Sequence, residues 1–185
     1  MDPRTARLQA SRRLASVRLD PAHRVSIRPI DAFDRSGLSD FYAGLSPEST
    51  RRRFLGIRPV TEAELADMAE GPGLVGVLRS PGEEDGAIVG HAQICPEGAG
   101  SAEVAFAVRD DLHGRGIGRS LVNQVLELAR RSGWRRLRAV TSPENVAMRR
   151  LFLQAGCVVE RDLLDGGVEE IVLRVPEEAS LAAVS

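Results

Sequence analysis

Apolar residues at alternate positions, Val25 and Ile27 within 25–30, predict a strand near the start of the patterned region. The spacing then changes. Phe33, Leu38, Phe41, Tyr42 and Leu45 recur at close to helical intervals over 31–45. Two short helices follow with their own punctuation. The first has Ser46 as N-cap, Pro47 at the first helical position and Gly56 as its stop. In the second, Thr61 caps, Glu64 completes a capping box and Gly71 closes. From residue 74 the pattern returns to strands. Segments 74–80 and 87–95 flank the turn-rich 81–86 as a hairpin with a long loop, and 102–108 adds a third strand. The strongest helical stripe, over 117–133, sets Ile117, Leu121, Val122, Val125, Leu126 and Leu128 on one face. A strand at 136–142, a helix over 145–156 ending at Gly156, and strands at 157–164 and 168–175 around the turn at 165–167 complete the chain.

A strand, a group of helices, a three-strand meander and then alternating helix and strand imply an α/β fold. Its central sheet is mixed and carries helices on both faces. One domain is expected over 25–176. It follows a basic extension, 1–24, in which Leu8, Leu14 and Val17 form only a weak apolar stripe among six arginines, and it precedes a frayed tail, 177–185.

Composition narrows the function classes. A net charge of −1 argues against a general nucleic-acid binder. All 25 basic residues are arginine, so no lysine is present to serve a phosphate-binding P-loop. Cys95 and Cys157 lack metal-ligand spacing and read as buried small hydrophobes, with no metal site. No apolar run has the roughly 18 residues of a membrane span, and no secretory apolar segment opens the chain. A soluble cytoplasmic protein is the expectation.

The chemistry concentrates at Gly114, Gly116 and Gly118, which follow a strand and open the longest helix. Unpaired first-turn amides and the positive end of the helix dipole favour an anion there, and Arg115 and Arg119 add charge. The spacing is G-x-G-x-G, which is not the dinucleotide fingerprint, and the following strand lacks the acidic residue such a site requires.

The run from Val108 through His113-Gly-Arg-Gly-Ile-Gly118, set in this order of elements, resembles the acyl-CoA-binding turn of the GNAT acetyltransferases. The resemblance covers about residues 25–175. It implies the GNAT fold, in which acetyl-CoA enters between two parallel strands that splay apart, here 103–108 and 137–142. Phe106, Ala107 and Val108 would offer backbone groups to the pantetheine and acetyl carbonyl. His113, Gly114, Arg115, Gly116, Ile117, Gly118 and Arg119 would hold the pyrophosphate, and Asn145 would contact the pantetheine arm. The stretch from Leu45 to Gly56, with Ala102-Glu103 before the glycine turn, is similar to the catalytic domain of bacterial Pat-type protein lysine acetyltransferases.

By position alone Glu103 is either a solvent-facing glutamate at a strand end or a base. The resemblance implies a base that takes a proton from the acceptor amine through water, because it precedes Val108 by roughly 16 Å of strand. Two residues depart from the family pattern. His113 stands where Gln or Arg is usual. Phe152 replaces a tyrosine thought to protonate the departing thiolate, which leaves Ser142 or water for that step. His91 reads as structural and Arg51–Arg53 as a solvated helix face. Arg135, Arg136 and Arg138 are placed either near the cofactor's 3′-phosphate or at a solvated strand start.

The resemblance therefore implies an N-acetyltransferase that moves acetyl from acetyl-CoA to a primary amine, foremost a protein lysine. A small-molecule amine acceptor and a non-catalytic acyl-CoA-binding module are the alternatives.

Overall fold

The computed structural model describes residues 15–20, 23–79, 86–98 and 100–177. Its strands are β1 (Ala15–Arg18), β2 (Arg24–Pro29), β3 (Gly73–Arg79), β4 (Ala87–Gly98), β5 (Ser101–Val108), β6 (Arg136–Thr141), β7 (Val158–Asp165) and β8 (Val168–Arg174). They form one sheet in the order β1-β2-β3-β4-β5-β6-β8-β7. The helices are α1 (Arg35–Ala43), α2 (Pro47–Phe54), α3 (Glu62–Glu70), α4 (Ile117–Arg131) and α5 (Val146–Gln154). β5 and β6 are the one parallel pair among the described strands, joined by the α4 crossover.

Alternation along β5 divides the core between the two faces of the sheet. Ala102 and Val104 pack with Ile117, Leu121, Val125 and Phe152 under α4 and α5. Ala107 belongs to the opposite face, with Leu38, Phe41, Leu65 and Met68 of α1 and α3. All six apolar residues expected on the inner face of the longest helix are buried.

Several local readings change. Residues 15–18, expected within a basic extension, form the edge strand β1, paired antiparallel with β2. Ala15 and Val17 pack against the α4 side of the core, so a two-residue apolar alternation suffices once a sheet edge is available to pair with it. The helix expected over 31–45 begins as a 3-10 turn at Ala32–Asp34, capped by Asp31, and this rotates Phe33 out to 96% exposure. The buried carboxylate of Asp34 binds the Arg28 guanidinium through two contacts of 2.6 and 2.7 Å, tying α1 to β2. α2 stops at Leu55, whose φ of +55° takes the left-handed position expected of Gly56. Cys157 is buried but Cys95 is exposed. Cys95 lies opposite Glu103 and follows the buried Ile94, so alternation turns it to the other face of the sheet. The readings made for residues 1–14, for residues 81–85 of the hairpin loop and for the tail beyond Glu177 fall outside the described residues.

Candidate active site

The site begins where two strands part. β5 and β6 are in register only over Ser101–Glu103 and Arg136–Arg138, after which β6 stays paired with β8 and leaves β5. Backbone polar groups alternate sides along a strand. Gly100 O accepts from the Arg135 and Arg136 amides on the β6 side, whereas the Arg109 amide donates to Val89 O on the β4 side. Even-numbered residues of β5 therefore aim their N–H and C=O groups at β6. For Phe106, and for the N–H of Val108, that side lies beyond the registered stretch, open to a ligand. Ala107 is opposite His91 and turns its backbone to β4, so it forms groove wall without offering its amide.

A groove of about 660 Å³ occupies this fork, and all eleven residues expected to hold the acyl donor border it. Gly114 and Gly116 have φ of +74° and +86°. Gly118 has a different reason to be glycine, because an added Cβ would stand 3.2 Å from Leu151 of α5, so its bare backbone lets the two helices close on the groove. The first-turn amides at 117–119 have no intrahelical acceptor and face the groove at the positive end of a 15-residue helix. Arg115, Arg119 and Arg150 line the same stretch. Gly116→Ala is expected to weaken acetyl-CoA binding about tenfold by titration calorimetry. A side chain at that φ costs about 1–2 kcal/mol, which the turn relieves only by moving its amides.

His113 does something other than expected. Its Nε2 lies 2.9 Å from Val108 O, so the ring donates back to the strand and spends there the hydrogen bond proposed for phosphate. Asn145 caps α5, accepting from the Met148 amide and donating from Nδ2 to Thr141 Oγ1, while still bordering the groove.

The Ser46–Ser49 turn has a partner that sequence reasoning missed. Asp110, just before the glycine turn, accepts from the Ser46 amide at 3.0 Å and from the Ser46 and Ser49 hydroxyls at 2.7 Å each. This latches α2 across the groove mouth. Partial burial alone would raise the Asp110 pKa, but the two serines outweigh it and hold the carboxyl at about 2. Its stabilisation is thus full above the ordinary carboxylate value near 4 and is lost as pH falls through about 2. Asp110→Ala is expected to cost about 2 kcal/mol in denaturant unfolding at pH 7. That deficit should shrink as pH is lowered from 4 toward 2.

Glu103 does not border the groove. It lies on the face of β5 opposite α4, half-exposed, and its carboxylate pairs with Arg138, which also binds Glu97 at 2.7 Å and Glu170 at 3.4 Å. Further along that face, Arg53 donates to Gln93 and also lines the groove. Arg53 thus borders the groove, where a solvated helix face was expected. Arg135, Arg136 and Arg138 are far from the glycine turn, because α4 carries the chain about 22 Å along its axis before β6 starts. Arg136 pairs with Glu160, and Arg135 borders a separate cavity at the other end of α4. Phe152 is fully buried against Phe106, with ring centroids 5.7 Å apart. Ser142 is buried too, and its Oγ accepts from the Glu144 amide. No group of His, Cys, Asp and Glu side chains among the described residues is arranged to hold a metal ion.

Comparison with known proteins agrees with the fold. The profile of the Acetyltransferase (GNAT) family matches residues 40–157. Acetyltransferase PA5475 of Pseudomonas aeruginosa is 34% identical over 151 residues, 78% of this chain and 80% of that protein. Acetyltransferase Pat of Mycolicibacterium smegmatis is 35% identical over 136 residues, 71% of this chain, which spans only 40% of that longer protein. The crystal structure of the GNAT domain of S. lividans PAT superposes with a TM-score of 0.72 at 26% identity, covering 87% of this chain and 96% of that one.

Proposed function

The chain belongs to the GNAT acetyltransferase family, and on that premise we propose that it moves the acetyl group of acetyl-CoA to the side-chain amine of a protein lysine, with Glu103 as water-mediated general base. The observation that carries this reading is the fork between β5 and β6. It presents the backbone groups of Phe106 and the N–H of Val108 to one side, and Glu103 stands on the same strand, on its opposite face.

Acetyl-CoA supplies an activated acyl group when bound. The first-turn amides at 117–119, with Arg115 and Arg119, bind its pyrophosphate oxygens. The N–H groups of Phe106 and Val108 are the donors for the oxyanion that develops at the acyl carbon. Phe106 is three residues from Glu103, about 10 Å along the strand, a span for ordered water. A lysine amine is almost wholly protonated at neutral pH. Glu103 takes that proton through the water, the freed lone pair forms the C–N bond, the C–S bond breaks, and the second proton on nitrogen leaves to solvent as the amide forms. Phe152 has no proton to give and Ser142 is buried, so the thiolate takes its proton from solvent.

The lysine acceptor is supported by the carboxylates Glu97, Glu103 and Glu170 on the acceptor face, which outnumber Arg138, and by likeness to Pat. Arg53, beside the groove, is the observation that favours a small amine carrying a carboxylate. Free thiols at Cys95 and Cys157 suit a reducing compartment, and the cytoplasm is the proposed location. Release of free CoA from acetyl-CoA, measured with a bacterial protein extract and separately with a panel of small amines, tests the acceptor. The enzyme has no lysine side chain of its own, so ε-acetyl-lysine in the products belongs to the acceptor. Release with a small amine and none with the extract overturns the lysine reading, and donor binding with no release on either leaves an acyl-CoA-binding module.

A further inference from the structure

Glu103 and Arg138 are the last residues in register before β5 and β6 diverge, so their ion pair stands at the apex of the fork. Arg138 is not held by Glu103 alone. Glu97 accepts from its Nε at 2.8 Å and lies 2.7 Å from its Nη2, while Glu170 lies 3.4 Å from Nη1. Nη2 is thus shared between Glu97 and Glu103. Three carboxylates around one guanidinium leave two negative charges in excess, and removing Glu103 from the cluster still leaves Arg138 doubly bound by Glu97. All four side chains are between 27% and 37% exposed, so water screens the pair and exchange is easy.

We infer that Arg138 is a positioning residue for the acetyl transfer: it holds Glu103 aimed along the acceptor face in the resting enzyme, and hands it to the incoming ammonium while Glu97 and Glu170 keep Arg138 neutralised. This rests on the reading of Glu103 as the base. The groups facing Glu103 are Cys95 and Glu97 of β4, Arg138 of β6 with Glu170 of β8 behind it, and Arg53 of α2 beyond Cys95. Among these Arg138 is the one in direct contact through an ion pair. The proton moves from the acceptor nitrogen to the Glu103 carboxylate, and Arg138 exchanges no proton.

The alternative is a clamp that only staples β4, β5, β6 and β8 together. Wild type, R138Q, R138K, E103Q and the double variant E103Q/R138Q distinguish the two. Turnover is read as CoA release with the protein extract or small amines, whichever supports the wild type, alongside acetyl-CoA affinity and thermal midpoint. R138Q is expected to lower kcat about tenfold with the acetyl-CoA KM unchanged, and R138K to recover most of that loss. In the E103Q background R138Q is expected to have no further effect, because its action passes through Glu103. An R138Q loss that persists on top of E103Q, or that only follows a fall in thermal midpoint without rescue by R138K, overturns the inference and leaves the base reading intact. E103Q at the wild-type rate, or no Glu103-dependent turnover on either acceptor set, overturns the base reading and the inference with it.

Discussion

Glutamine at position 103 is expected to reduce kcat by about 10²–10³-fold while leaving acetyl-CoA affinity within about twofold. The two halves of that expectation come from different parts of the site. Affinity is assigned to the proposed donor groove between β5 and β6, which Glu103 does not border. Turnover requires a neutral amine, and the substitution deletes the carboxylate proposed to accept its proton while preserving side-chain size and hydrogen bonding. Arg138 keeps two carboxylate partners, so the variant is also expected to fold with a near wild-type midpoint. Titration calorimetry with acetyl-CoA and thiol detection of released CoA measure the two quantities separately. Equal turnover in the variant and the wild type removes Glu103 from the chemistry. A parallel collapse of affinity would instead place its side chain in donor binding.

The glycine turn was legible from sequence for a physical reason. An anion at a helix N-terminus is held by consecutive amides, so every group needed lies within a few residues of Gly114–Arg119, and the adjacent strand supplies Phe106 and Val108. The helix stripe that fixes α4 is equally local. What could not be read depends on register. Which β6 residue meets Glu103 is decided by how far α4 carries the chain before it re-enters the sheet. One position of slippage would have replaced Arg138 by Leu137 or Ala139. The same distance removed Arg135, Arg136 and Arg138 from the glycine-turn end of the groove. The bond between Asp110 and the serines of α2 spans more than 60 residues, and Ser46 gave a sign only of its local capping role. That latch explains why a polar turn such as Ser46–Ser49 sits beside an acyl-donor groove. It positions α2, and with it Arg52 and Arg53, over the mouth. β1 escaped for the opposite reason: four residues carry too little alternation to outweigh the arginines around them, and only the free edge of β2 makes them a strand.

Acid is expected to weaken this domain before its carboxylates titrate, and His91 is the cause. His91 was rightly read as structural. It is fully buried on β4 and its Nδ1 lies 2.7 Å from the Tyr42 hydroxyl, while Nε2 has no hydrogen-bond partner. Burial is the main force that pushes its pKa down to about 3; the nearby Arg53 cation adds to it and Asp34 only partly opposes. Between about pH 6.5 and pH 3 the unfolded chain therefore carries a proton on this imidazole that the folded chain refuses. Folding stability falls as pH drops through that window, is unaffected by this residue above it, and changes no further below pH 3. At about 1.4 kcal/mol per pH unit the loss reaches roughly 4–5 kcal/mol by pH 3, a large share of the stability of an ordinary domain, which is about 5–15 kcal/mol. His91→Gln keeps a polar partner for Tyr42 and removes the titration. Urea unfolding at pH 7 is expected to show the variant slightly less stable than wild type. At pH 4.5 the order should reverse, since by then wild type has lost about 2–3 kcal/mol that the variant retains. Parallel pH profiles for the two proteins would show that the imidazole is protonated in the fold. In that case the Tyr42–His91 contact would be a charged hydrogen bond with the imidazolium donating to the hydroxyl oxygen, and the acid sensitivity would have to come from the carboxylates of Asp34 and Asp110 at lower pH.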